Sequence, residues 1–89
     1  MSVAICTYQP RRDFLISELS QLNTLLKNIK PHSRQAAALA AWLIAIHDHF
    51  MSIWTYVSSE TQAWVNQIPS HEISPKLRRM AIARLAEYL

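Results

Sequence analysis

Not one of the 89 residues is glycine. A backbone position with a positive φ angle must then fall on Asn or Asp, or be avoided altogether. Tight hairpins, phosphate-cradling loops and dinucleotide fingerprints all depend on glycine. The sequence therefore argues against a nucleotide-binding α/β enzyme and against an all-β barrel. Apolar residues make up 51% of the chain and charged residues 17%. That balance belongs to a chain that folds around a core, not to a disordered one. The length fits one domain, over 1–89.

Helical periodicity runs through most of the sequence. Residues 1–10, with Val3, Ile5, Thr7 and Tyr8, read as an extended arm that Pro10 ends. A first helix is expected over 11–29. Pro10 and Asp13 suit its first turn, and Leu15, Leu19, Leu22, Leu26 and Ile29 recur at spacings of four and three. Lys30-Pro31 ends it. Ser33 is a good N-cap for a second helix. Its apolar stripe is Leu39, Leu43, Ile46, Phe50, Ile53 and Val57, and Trp64 and Ile68 continue it without a change of phase. The unbroken phase favours one helix over 34–68, stopped by Pro69. A break near residue 58 is the competing reading, because Ser59 and Gln62 have capping-box spacing. The last helix is expected over 75–89, with Ser74 as N-cap and Pro75 at the first helical position. The fold class is thus an all-α antiparallel bundle of three helices, or four if the long helix breaks.

These lengths bear on assembly. A helix over 34–68 spans about 52 Å. Short connections fold the first helix over its first half and the last helix over its second half. Each cross-section then holds two helices, while the apolar arc of the long helix covers about half its circumference. The uncovered part calls for a partner, and a homodimer is the expectation; four short helices could instead close within one chain. Trp42, Trp54, Trp64 and Met51 lie on or beside the arc and are the candidate partner-binding residues.

Charge gives the second set of candidates. The net charge is +3, and six of the nine basic residues are arginine. Arg11 and Arg12 open the first helix, Arg34 the second, and Lys76, Arg78 and Arg79 the last, with Arg84 further along it. A cation at a helix N-terminus is unfavourable by about 0.3–1 kcal/mol, so helix stability does not explain the placement. Arg11, Arg12, Lys76, Arg78, Arg79 and Arg84 are the anion and nucleic-acid candidates, although the basic helix starts are expected to lie far apart. Residues 61–89 read superficially as a helix-turn-helix. The turn is longer than the motif's, and Arg78 falls near the apolar stripe, where it would cover apolar surface.

Other chemistry finds little support. His47-Asp48-His49 suggests a metal, but on a helix its two histidines point about 160° apart. No metal or cofactor is expected. Cys6 is the only cysteine, which rules out an internal disulfide and suggests a reducing compartment. No glycine-flanked nucleophile or paired carboxylates exist, so an enzyme is not expected. The longest apolar run, Ala36 to Ile46, falls short of the roughly 20 residues a membrane span needs, and the N-terminus lacks the pattern of a secretory signal. The expectation is a cytoplasmic, non-enzymatic interaction module: a regulator, inhibitor or chaperone-like adaptor that binds a protein through its apolar face, with arginines orienting an acidic partner. A nucleic-acid-binding regulator is the alternative, and a helical metal-binding protein a distant one.

Overall fold

A computed structural model of the chain describes residues 10–88. The expected N-terminal arm and Cys6 lie outside the described residues. The chain is all-α. Its helices are α1 (Pro10–Leu26), α2 (Arg34–His49), α3 (Met51–Trp54), α4 (Ser59–Asn66) and α5 (Pro75–Ala86), with a 3-10 turn at Ser70–Glu72. Among the described residues there is no strand, and no helix is long and apolar enough to cross a membrane.

Local chemistry sets the helix starts. Pro10 opens α1, with Asp13 in its first turn. The Ser33 hydroxyl accepts from the Ala36 N–H at 3.1 Å and caps α2. The Ser74 hydroxyl does the same for Leu77 at 3.2 Å, with Pro75 next in line. The helix ends come earlier than expected. α1 stops at Leu26 and continues as tighter turns, Asn28 N–H to Leu25 and Ile29 N–H to Leu26. α5 stops at Ala86.

The helix expected over 34–68 is interrupted twice. Phe50 leaves the helical region, with φ −145° and ψ 58°. Its N–H still closes onto the Ile46 carbonyl at 2.8 Å, and its own carbonyl accepts from Ile53 at 2.9 Å. A single turn, α3, follows; residues 55–58 separate it from α4. The helix does break near residue 58, as in the competing reading, and bends again at Phe50. Ser58, one residue before the expected cap, accepts from the Thr61 N–H at 3.2 Å. Gln62 reaches back to the Val57 carbonyl at 3.0 Å and forms no capping box with Ser59.

The bends turn the chain back on itself. Ile44 and Val65 border one cavity, whereas a straight helix would hold them about 31 Å apart. Burial is the gain. Leu43, Ile46, Ile53 and Val57, from the arc expected to be half uncovered, sit in the core beside Leu15, Leu19 and Leu22 of α1 and Leu85 of α5. Each such side chain contributes roughly 1.5–3 kcal/mol. The reason for expecting a homodimer came from the continuous helix and goes with it.

The packing partners also differ from expectation. α5 packs most extensively on α2, not on the second half of a long helix. Ala37, Ala41 and Ala45 recur every four residues along α2 and let α5 approach closely. Ala37 borders Leu77 and Met80; Ala41 and Ala45 border Arg78 and Ile82. α1 packs chiefly on α4 rather than on α2.

Candidate functional site

The three tryptophans divide between core and half-buried positions. Trp42 is 6% exposed. The Arg84 guanidinium lies 4.6 Å from its ring centre, and the Tyr88 ring packs at 5.8 Å. In the folded chain Trp42 is core and not a free docking anchor. Trp54 is half-buried, with the His47 imidazole edge-on at 5.0 Å. Trp64 is also half-buried and packs against the core. Of the four candidates on the arc, only Met51 stands well out, at 60% exposure.

The basic candidates divide in a similar way. The Arg78 Nε donates to the Ile73 carbonyl at 3.2 Å and pins the loop entering α5. Arg78 therefore covers protein surface, as its place on the stripe suggested. Arg84 lies on Trp42 and sits 3.9 Å from Glu18. Arg12 is half-buried, and the Arg11 side chain is outside the described set. Lys76 and Arg79 are exposed on α5. His47 bonds its neighbour Asp48 at 3.0 Å. Among the described residues no three His, Cys, Asp or Glu side chains gather where they could hold a metal.

One convergence goes against expectation. The starts of α2 and α5 are not far apart. Arg34 and Lys76 line the same cavity, of about 660 Å³, where α5 lies on α2. Packing brings them together, because Ala37 lets Leu77 and Met80 come close. Ala37 is buried and Leu77 half-buried, while Met80 is 57% exposed. These three are the apolar part of the lining.

His32 and Glu72 complete the rim. His32 has φ 64°, the left-handed region that costs a non-glycine residue about 1–2 kcal/mol. Its Nδ1 meets Glu72 Oε2 at 2.6 Å. That contact ties the loop before α2 to the 3-10 turn before α5. Ser74 also borders the cavity, but its hydroxyl caps α5. Among the described residues neither Arg34 nor Lys76 makes an ion pair. The cleft thus combines three apolar side chains, two cations without an ion pair among the described residues, and one carboxylate held by an imidazole. Its volume lies in the range of ligand-binding pockets, roughly 300–1,000 Å³.

Sequence reading singled out Lys76, and noted Arg34 as a basic helix start. It missed His32, Glu72, Leu77 and Met80 as members of one site. The available signal was the repeated placement of a cation just after a capping serine, at Ser33-Arg34 and Ser74-Pro75-Lys76. A smaller cavity of about 330 Å³ lies elsewhere, between α1 and α2, and has Leu22, Leu25, Leu39 and Trp42 on its walls. Comparison of the chain with protein-family models, with curated proteins and with solved structures finds no match.

Proposed function

We propose that this chain is a small non-enzymatic protein-interaction module, a regulator, inhibitor or adaptor, whose partner seats in the cleft between α2 and α5. One observation carries the reading: an open recess lined in part by Ala37, Leu77 and Met80, the last 57% exposed, also carries two cations that have no ion pair among the described residues. Apolar contact supplies the affinity of such a site, and charge supplies its orientation. The Ser74 hydroxyl in the cleft serves as the cap of α5, accepting from the Leu77 N–H. Of the nucleic-acid candidates, Arg78 and Arg84 are engaged with protein groups, while Lys76 and Arg79 are exposed.

The test is affinity capture from lysate split into nuclease-treated and untreated halves, with the wild-type chain and Met80→Asp side by side. Met80 is exposed, so the substitution leaves the core intact. A protein retained by the wild type and lost by Met80→Asp is the expected result. Equal retention by both, or capture that vanishes with nuclease, would overturn the proposal.

A further inference from the structure

The chemistry of the cleft narrows what it can take. Its apolar lining is Ala37, Leu77 and Met80. Its rim carries Arg34 and Lys76 against the single carboxylate of Glu72. That carboxylate is bound to His32 at 2.6 Å and forms no ion pair with either cation. The rim is therefore positive even with a neutral imidazole. Resting on the interaction reading above, we infer that the cleft takes a partner segment pairing one carboxylate with a neighbouring apolar side chain. The carboxylate sits between Arg34 and Lys76, and the apolar side chain lies on Met80 and Leu77. In the free protein the Glu72 carboxylate, on the same lining, offsets part of that positive charge.

The charge pattern favours a protein segment over a nucleic acid. A phosphate backbone is held by a run of cations and leaves an apolar floor unused. Here only two cations share a recess with Ala37, Leu77 and Met80. An acidic residue beside a leucine or phenylalanine satisfies both halves at once. Arg34 can take the carboxylate through two parallel N–H bonds, while Lys76 adds a point charge.

The probe is a set of blocked short peptides in which one leucine neighbours one glutamate, with glutamine analogues as controls. Binding to the full ¹⁵N-labelled chain is followed through the amides of Ala37, Leu77 and Met80. The glutamate peptides should shift these amides and bind at least about fivefold more tightly than their glutamine analogues, as loss of one charge-assisted pair implies. Lys76→Gln should weaken binding by roughly three- to tenfold. Glu72→Gln should strengthen it, a change of opposite sign that general loosening of the fold would not produce. Equal affinity for glutamate and glutamine peptides overturns the inference, as does absence of shifts at millimolar peptide. A duplex oligonucleotide that shifts the same amides more strongly also overturns it, in favour of phosphate. If capture depends on Met80 while the peptides show no preference for acid, this inference fails and the interaction reading stands.

Discussion

His32 occupies a backbone region that glycine fills in most proteins, at φ 64° in a chain with no glycine. Composition pointed to Asn or Asp for any such position. Histidine also tolerates the left-handed region better than most residues, and here its ring reaches Glu72. Two substitutions separate the backbone cost from the lost contact. His32→Asn and His32→Val both remove the imidazole. Asn accepts the left-handed region, whereas a β-branched side chain resists it. His32→Val should therefore be less stable than His32→Asn by about 1–2 kcal/mol, measured by urea unfolding. Equal stability would mean that the loop relaxes to another conformation without cost. Trp42 shows the same dependence on context. Its place on the apolar arc was legible, but its burial under Arg84 and Tyr88 was not. Trp42→Ala is for that reason a variant of folding rather than of binding.

Helix starts were legible, and helix continuity was not. Ser33, Ser74 and Pro75 act within three residues of themselves, so spacing alone reveals them. The bend at Phe50 leaves no such mark. Leu43, Ile46, Ile53 and Val57 keep helical phase across it, and all are buried. Periodicity records which side of the chain faces the core, not the direction of the helix axis. A straight helix and a folded-back one can therefore share one apolar pattern. The cap of α4 marks the second break and can be tested directly. Ser58 accepts from the Thr61 N–H and donates to the Thr61 hydroxyl at 3.1 Å, beside a Thr61 that is itself buried. Ser58→Ala should cost about 1 kcal/mol, and Ser59→Ala, at an exposed position, much less. The order would reverse if Ser59 were the cap. Urea midpoints of the two variants, at unchanged m, decide it.

Which helix α5 packs on determines both the site and the question of assembly. Arg34 and Lys76 share a cleft only because α5 lies on the alanine row of α2. That pairing depends on long-range packing, so the basic helix starts were visible in sequence while their convergence was not. The same fold-back removes the geometric need for a second copy. The wide apolar arc is closed by α1, α4 and α5 of the chain's own length, around a core that runs from Leu15 to Leu85. Among the described residues the large apolar side chains left exposed are Phe14, Leu25, Met51, Tyr56, Met80 and Ile82, and some exposed apolar surface is common on monomers. Light scattering at micromolar concentration should therefore give a mass close to 10.3 kDa. Twice that mass would restore the homodimer and raise the question of which surface it uses. Met80→Asp answers that question. A dimer that dissociates on this substitution has its interface in the cleft, and the partner of the site would then be a second copy of this chain. A dimer that persists would be held elsewhere, leaving the cleft open to another protein.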